Sequence, residues 1–146
     1  MTTLRLEVIS AERVVYEDDV NIVVAPGQDG ELGILPHHAP LITVLQAGEL
    51  LIRKGSSETS LMVSGGFLEV MANKVTVLAD AAEDVDEIDE QRAQEAMRRA
   101  QDHIQNHPED SDLKRALTSL RRAQVRLNLV QRRRVSRRAR PTELPS

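Results

Sequence analysis

The chain changes character at Asp84-Val85-Asp86-Glu87-Ile88-Asp89-Glu90, where the spacing of apolar residues switches from two to about 3.6. Five of these seven residues are acidic. Carboxylates are favoured at the start of a helix because they complement its exposed N–H groups and its dipole. The segment therefore predicts the junction between a β region on its N-terminal side and a helical region on its C-terminal side.

The region before this junction has the pattern of short strands. Leu4, Leu6 and Val8 alternate with polar residues, which is the period of a half-buried strand. Strands are also predicted at 20–25, 41–45, 49–53, 60–63, 67–71 and 75–78. Ala72-Asn73-Lys74 is short enough for a hairpin turn. Eight to ten short strands with no helical stretch between them predict an all-β sandwich or barrel over residues 1–84.

Apolar residues after the junction recur at helical spacing. The first helix carries a narrow stripe of Ala93, Ala96, Met97, Ala100 and Ile104. The pattern breaks at 106–110, and Ser111 or Asp112 can cap a second helix. The apolar stripe of this second helix consists of Leu113, Ala116, Leu117, Leu120 and Leu127. Residues 85–130 are therefore predicted to form an antiparallel αα-hairpin, followed by a frayed, basic extension over 131–146.

Composition excludes several classes of protein. A hydrophobic content of 40% and a charged content of 29% are typical of a soluble globular chain. No apolar run approaches the ~18 residues needed to cross a bilayer, and the first residues do not resemble a signal peptide. The chain has no cysteine, which excludes disulfides, thiolate catalysis and cysteine-bound zinc. Because Tyr16 and Phe67 are the only aromatic residues, the core is expected to be aliphatic.

Charge is distributed unevenly along the chain. Residues 1–90 hold 5 Lys/Arg and 17 Asp/Glu, whereas residues 91–146 hold 14 Lys/Arg and 6 Asp/Glu. This asymmetry indicates two segments with different partners. The basic half can serve a nucleic-acid-associated module, or it can meet an acidic protein surface. The acidic first half and the scarcity of aromatic residues weigh against nucleic acid.

Catalytic and metal-binding signatures are missing from the sequence. There is no phosphate-binding G-x-x-x-x-G-K-[ST] loop and no G-x-S-x-G nucleophile elbow. His37 and His38 would point to opposite faces of a strand, and His103 and His107 lack a third ligand. We therefore predict no catalytic residue and no metal site, and a stand-alone enzyme is the least favoured interpretation.

Arginines follow one side of each predicted helix. Arg115, Arg122 and Arg126 share a side of the second helix, opposite its leucine stripe, and Arg92 and Arg99 share a side of the first. These rows are either solvated polar faces or surfaces that bind an anion such as a phosphate. Asp89 can stabilise the first helical turn and pair with Arg92 three residues later.

Four motifs carry a family resemblance. Residues 30–41 read GELGILPHHAPL, residues 64–70 read SGGFLEV, residues 74–80 read KVTVLAD and residues 88–93 read IDEQRA. Their order and spacing resemble those of the ε subunit of bacterial F-type ATP synthase. The resemblance spans residues 1 to about 130. It implies a β-sandwich followed by an αα-hairpin.

The resemblance also implies a function. Members of this family are non-catalytic rotor subunits of the central stalk, which couple rotation of the c-ring to ATP synthesis in a proton-translocating enzyme. The sandwich would contact the γ subunit and the c-ring, with a loop carrying Glu31 and His38 near the ring. The hairpin would inhibit ATP hydrolysis when it extends toward the α and β subunits, where its basic helix meets an acidic segment of β.

The same resemblance implies a regulatory ligand but no required cofactor. ATP, alone or with magnesium, would bind to the folded hairpin. The corresponding residues are Glu83, Ile88, Asp89, Arg92, Ala93, Arg99, Arg122 and Arg126. The expected location is the cytoplasmic face of the bacterial plasma membrane, where the protein is peripheral and meets the membrane only through the complex. Nucleic acid is not an expected partner.

Overall fold

The structure is a computed structural model that describes residues 2–106 and 113–139. The chain forms two compact units, which divide between Asp84 and Val85. The β unit contains the strands β1 (Leu4–Ile9), β2 (Val14–Val20), β3 (Ile22–Gly27), β4 (Gly30–Ile34), β5 (Leu41–Lys54), β6 (Ser57–Met71), β7 (Lys74–Ala79) and β8 (Ala82–Asp84). The helical unit contains a 3-10 turn (Val85–Glu87), helix α1 (Glu90–Asn106) and helix α2 (Leu113–Ala139).

One hydrogen-bonded sheet forms the β unit. Its strand order is β2-β1-β7-β6-β5-β3-β4, and β8 pairs with the first half of β6. The pair β1–β7 is parallel, and the other pairs are antiparallel. The sheet curls so that β2 approaches β5 without pairing with it. Lys54 Nζ of β5 donates a hydrogen bond of 2.6 Å to Asp18 Oδ2 of β2, which shows that the two strands are close. This hydrogen bond lowers the pKa of the Asp18 carboxyl.

An aliphatic core lies inside the curled sheet, as predicted. Seven of the eight strands contribute to it, and Tyr16 packs at its margin. Its fully buried side chains include Leu4, Leu6, Ile34, Leu50, Ile52 and Leu68. Phe67, by contrast, is 56% exposed. The core therefore forms without the only phenylalanine of the chain.

Five predicted strands are wrong in their boundaries. The strand predicted at 20–25 is the end of β2 and most of β3, separated by Asn21, whose backbone N–H donates to Arg53 O at 2.8 Å. The segments at 41–45 and 49–53 form one strand, β5, and those at 60–63 and 67–71 form one strand, β6. The glycines between these segments do not end the strands, because β5 and β6 pair in one register from the pair Leu41 and Val70 to the pair Lys54 and Ser57, with a gap only at Gln46 and Gly65.

The predicted hairpin turn at Ala72-Asn73 is confirmed. These residues have φ values of 49° and 60°, and they join β6 to β7. Positive φ at both central residues is the geometry that matches the twist of a two-residue hairpin. The Asn73 side chain also accepts a hydrogen bond from His37 N at 2.8 Å and donates one to Thr3 O at 2.9 Å.

The two predicted helices are confirmed, and they run antiparallel. Residues late in α1 and residues early in α2 line one cavity, whereas Arg133 near the end of α2 reaches Asp86 in the 3-10 turn. Ala93 is completely buried, and the other residues of the predicted α1 stripe are half-buried.

Helix α2 differs from its prediction in two respects. Leu117 is 49% exposed, and among the side chains of α2 up to Arg133, those of Leu127, Leu129 and Val130 are buried. The helix continues to Ala139, so residues 131–139 are helical rather than frayed. Arginine is a good helix former, which explains the continuation. The predicted caps Ser111 and Asp112 and the final residues 140–146 lie outside the described residues.

Candidate functional site

The motif at residues 88–93 forms the start of α1. Asp89 Oδ1 accepts a hydrogen bond of 3.2 Å from Arg92 N, and Asp89 O accepts one of 3.0 Å from Ala93 N. Asp89 is therefore the N-cap residue of α1, a role worth about 1 kcal/mol of helix stability. Ile88 and Ala93 are buried, so their side chains serve packing within the chain.

Arg92 extends away from this cap. Its side chain is 83% exposed, and its Nε lies 4.0 Å from Asp89 Oδ2. The ion pair predicted between these two residues is present, but at the limit of ion-pair distance. An exposed pair of this length contributes little to stability, which leaves the guanidinium of Arg92 able to bind another anion.

Arg99 lies at a cavity between the two helices. The cavity has a volume of about 370 Å³. From α1 it is lined by Arg99, Ala100 and His103, and from α2 by Arg115, Ala116 and Ser119. The structure thus brings Arg99 together with Arg115, a residue noticed in the sequence but absent from the expected nucleotide-binding set. Two guanidinium groups facing one cavity can bind a phosphate.

Arg122 and Arg126 occupy a different position. Both side chains are half-buried, and their Nε atoms are buried. A solvated polar face is therefore the wrong description for Arg122 and Arg126, whereas Arg115 of the same row is exposed. Long arginine side chains can cover apolar surface with their methylene groups, which allows such burial. Neither residue lines the cavity at Arg99.

Glu83 belongs to the β unit. It lies in β8, where its backbone pairs with Met62 of β6, and it is half-buried. The other seven residues of the expected nucleotide site lie in the helical unit.

Histidines are not arranged as a metal site. His37 and His38 lie in the turn after β4 rather than in a strand, and His37 has a φ of 63°. His103 is exposed on α1, and His107 lies outside the described residues. Within residues 2–106 and 113–139, no group of three or more His, Asp or Glu side chains is arranged to hold a metal.

Glu31 and His38 do not share a loop, which corrects the expectation. Glu31 is exposed and lies in β4 beside the β3–β4 turn, whereas His38 lies beyond the other end of that strand. The His38 ring Nδ1 is 2.7 Å from Ala39 O, and its backbone N–H donates to Leu35 O at 3.2 Å. Leu35 is 58% exposed, so this turn presents an apolar side chain to solvent.

An open cleft adjoins this turn. Its volume is about 670 Å³, and its lining residues are Thr2, Asn21, Ile22, Leu35, Pro36, His37, Arg53 and Gly55. Asn21 supports the cleft by accepting a hydrogen bond from Gly55 N at 2.6 Å and donating one to Thr2 O at 3.2 Å. The cleft combines apolar surface with one cationic side chain, as expected of a surface that receives a segment of another protein.

A row of apolar side chains crosses the outer face of the sheet. The strand registers align Val14 with Ile9, Ile9 with Leu78, Leu78 with Phe67, and Phe67 with Val44, across β2, β1, β7, β6 and β5. We call these five residues the apolar row. Four of them are between 41% and 56% exposed, and Ile9 is half-buried. Exposed and contiguous apolar surface of this kind marks an interaction site.

Charged residues flank the apolar row. The next register line contains Glu17, Glu7, Thr76, Glu69 and Ile42. Lys74 Nζ lies 3.0 Å from Glu7 Oε2 on this face. An apolar centre with a charged margin is the usual anatomy of a protein interface.

The sequence contained a signal for the apolar row. In the stretch Phe67, Leu68, Val70 and Met71, apolar residues occupy both faces of β6. A strand with one face in the core and one in water needs apolar residues on only one face. The apolar residues on the second face of β6 therefore indicate that this face is also covered.

Comparison with known proteins identifies the family. A family model described as ATP synthase, Delta/Epsilon chain, beta-sandwich domain matches residues 3–85, and one described as its long alpha-helix domain matches residues 86–131. The chain belongs to the ATP synthase epsilon chain family.

Curated relatives agree with this assignment. The ATP synthase epsilon chain of Dehalococcoides mccartyi is 51% identical over 135 residues, covering 92% of this chain and 96% of the relative. That of Herpetosiphon aurantiacus is 48% identical over 131 residues, covering 90% and 96%. The expectation of a non-catalytic subunit of ATP synthase is thereby confirmed.

A solved structure shares the fold of this epsilon chain. A chain of the Euglena gracilis mitochondrial ATP synthase, in a structure of OSCP, F1 and c-ring, matches with a TM-score of 0.75 and 20% identity. The match covers 86% of this chain and 79% of that one.

Among the helices that the structure describes, none combines the length and apolarity required to cross a bilayer.

Proposed function

We propose that this protein is a rotor subunit in the central stalk of a bacterial F-type, proton-translocating ATP synthase, where it couples rotation of the c-ring to ATP synthesis. The observation that carries the proposal is the apolar row. The chain has one phenylalanine, and it lies 56% exposed in this row, between Leu78 and Val44, rather than in the core. Aromatic residues on an exposed apolar surface are typical anchors of protein interfaces.

The γ subunit is the proposed occupant of the apolar row. A rotor subunit must hold the shaft firmly through each rotation, and a wide apolar surface on a hydrogen-bonded sheet provides a rigid attachment. The charged margin at Glu7, Lys74 and Glu69 would then fix the orientation of the two subunits.

The c-ring is the proposed partner of β4 and the turn that follows it. Glu31 offers an exposed carboxylate at one end, and Leu35 offers an exposed apolar side chain at the other. The cleft beside Leu35 would receive a loop of the ring. In this arrangement the protein is peripheral at the cytoplasmic face of the plasma membrane and reaches the membrane only through the complex.

Regulation is assigned to the helical unit. We propose that its two helices inhibit ATP hydrolysis when they separate and extend toward the α and β subunits. The net positive charge of residues 91–146 supports an encounter with an acidic segment of β. A nucleic-acid-associated module is less favoured, because Arg133 is engaged by Asp86 and the side chains of Arg122 and Arg126 are half-buried.

ATP, alone or with magnesium, is the proposed regulatory ligand. The cavity at Arg99 and Arg115 supports this, since its volume of about 370 Å³ falls in the range of small-molecule sites. A ligand that binds the paired helices better than the extended ones would shift the equilibrium toward the paired state.

Co-purification tests the proposed assembly. The tagged chain should retain the α, β and γ subunits and the c-ring of its own synthase after co-expression and mild detergent extraction. Co-expression with γ alone should be enough for the tagged chain to capture γ, because γ carries the apolar-row contact. Failure to capture γ in the absence of the other subunits would contradict the proposed docking.

Calorimetric titration of MgATP into the isolated chain tests the regulatory ligand. We expect saturable 1:1 binding that weakens at least about tenfold in Arg99→Ala, because loss of a charged hydrogen bond typically costs 1.5–3 kcal/mol. Arg98→Ala, an exposed neighbour outside the cavity, is the matched control and should bind like the unmodified chain. Arg126→Ala shows whether the second arginine row takes part. Absence of binding at millimolar ATP would refute ATP sensing.

A further inference from the structure

Arg133 connects the end of the helical unit to its beginning. Its Nε donates a hydrogen bond of 3.1 Å to Asp86 Oδ1, between residues 47 positions apart in the chain. Asp86 lies in the 3-10 turn, the first element of the helical unit, and Arg133 lies near the end of α2. The interaction therefore closes the unit on itself.

This ion pair is sheltered. The Arg133 side chain is 23% exposed and the Asp86 side chain 40%, compared with 83% and 56% for Arg92 and Asp89. A charged hydrogen bond that is partly removed from water is stronger than a fully exposed one, and salt still screens this pair because the Asp86 side chain is 40% exposed. The pair can therefore influence the conformation of the helices to a degree that the Arg92–Asp89 pair cannot.

Apolar contacts lie beside the pair. Leu129 and Val130 precede Arg133 by four and three residues, which places all three on one side of α2, and both are buried. Val85, the neighbour of Asp86, is 3% exposed. The 3-10 turn and α2 are in contact. Separation of α2 from this turn must break the ion pair.

Arg133 lies just beyond the region that the family model of the helical domain matches. The matched helical region of the family ends at residue 131, whereas α2 continues to Ala139. Arg133 thus belongs to the continuation of the helix beyond the family region, and its contact with Asp86 gives that continuation a role.

We propose that Arg133 and Asp86 form an electrostatic clasp that holds α2 against the 3-10 turn and keeps the two helices paired. The clasp makes the paired state sensitive to ionic strength. Its consequence for ATP hydrolysis rests on the proposed function, but the clasp itself is a property of the isolated chain and can be tested there.

Distance measurements between spin labels on the isolated full chain test the clasp. The chain has no cysteine, so Gln91→Cys on α1 and Asn128→Cys on α2, both exposed, give two unique label sites. In the unmodified background the short-distance population should dominate at 50 mM NaCl. Arg133→Gln should raise the ratio of separated to paired helices about fivefold, the effect of losing a partly sheltered ion pair.

Three comparisons separate the clasp from a general loss of structure. Arg98→Gln, an exposed arginine on α1, should leave the distance distribution unchanged. The double variant Asp86→Arg/Arg133→Asp should restore the short distance that each single variant loses. Raising NaCl to 500 mM should raise the ratio of separated to paired helices in the unmodified chain, by no more than the factor seen in Arg133→Gln. It should change Arg133→Gln little, because only the unmodified chain retains a pair that salt can screen.

Two results would overturn the proposal. One is an unchanged distance distribution in Arg133→Gln at 50 mM NaCl. The other is failure of the charge reversal to restore pairing while far-UV circular dichroism shows intact helices, since Arg133 would then act through packing. Both results are independent of assembly with other subunits, so failure of the clasp is distinguishable from failure of the proposed function.

Discussion

Gly66→Ala should lower the free energy of unfolding of the β unit by about 3 kcal/mol or more, a large share of the stability of a small domain. Gly66 lies in β6 with a φ of 132°, a conformation that residues with a Cβ rarely adopt. A Cβ at this position would overlap the carbonyl oxygen of Leu78 and lie 2.9 Å from the Ala79 Cα. Both obstacles belong to the backbone of β7, which cannot move without breaking its pairing with β6.

Urea unfolding followed by tyrosine fluorescence measures this effect. Tyr16 is the only tyrosine, the chain has no tryptophan, and Tyr16 packs against the core of the β unit. The signal therefore reports on the β unit alone. Gly33→Ala is the matched control, because a Cβ there would meet no atom within 4 Å. A loss of stability below about 1 kcal/mol in Gly66→Ala would contradict the geometry of β6.

Phe67→Glu should weaken binding of the γ subunit about 100-fold or more. Truncating or charging an aromatic anchor typically costs at least about 2–4 kcal/mol of binding energy, and a buried carboxylate adds a desolvation penalty. Phe67 is 56% exposed in the isolated chain, so its replacement should leave the core intact. Only the β-propensity of the strand should fall, at a cost of about 1 kcal/mol or less.

Binding of the purified chain to its own γ subunit, measured by surface plasmon resonance, tests this prediction. Ser56→Glu adds the same charge at an exposed turn of the β unit away from the apolar row and should bind normally. Val44→Glu, at the end of the row, should weaken binding less than Phe67→Glu, because valine is smaller and offers less exposed apolar surface. Equal binding by Phe67→Glu and the unmodified chain would remove the apolar row from the γ interface.

Local sequence signals predicted the features of this fold that depend on neighbouring residues. The acidic segment before Glu90 marked the division between the two units, and Ala72-Asn73 marked a hairpin whose geometry those two residues alone determine. The capping role of Asp89 was visible because its partner is only three residues away. Such features need no knowledge of the tertiary structure.

Features that depend on distant partners were not predictable. The glycines within β5 and β6 resemble strand ends until the continuous pairing of the two strands is known. Leu117 lies with the leucines of its stripe on a helical wheel, yet it is 49% exposed while the stems of Arg122 and Arg126 are half-buried. Asp86 and Arg133 are separated by 47 residues, and only the folded helices bring their charges together.

The arrangement of the candidate site residues also depends on distant partners. Arg99 was expected to bind a nucleotide with Arg122 and Arg126, which lie on the same helix as Arg115 and on the same side of the wheel. The antiparallel arrangement instead places Arg99 and Arg115 at one cavity. A helical wheel gives the side of a helix on which a residue lies, but it does not give which residues of the neighbouring helix lie at the same position along the axis.

The long pairing of β5 with β6 in one register has a mechanical consequence. The two strands span 14 and 15 residues. A force along these strands loads the hydrogen bonds between them together, in shear, whereas a force across them would open the bonds one at a time. The β5–β6 pair therefore resists a force directed along its strands more than one directed across them.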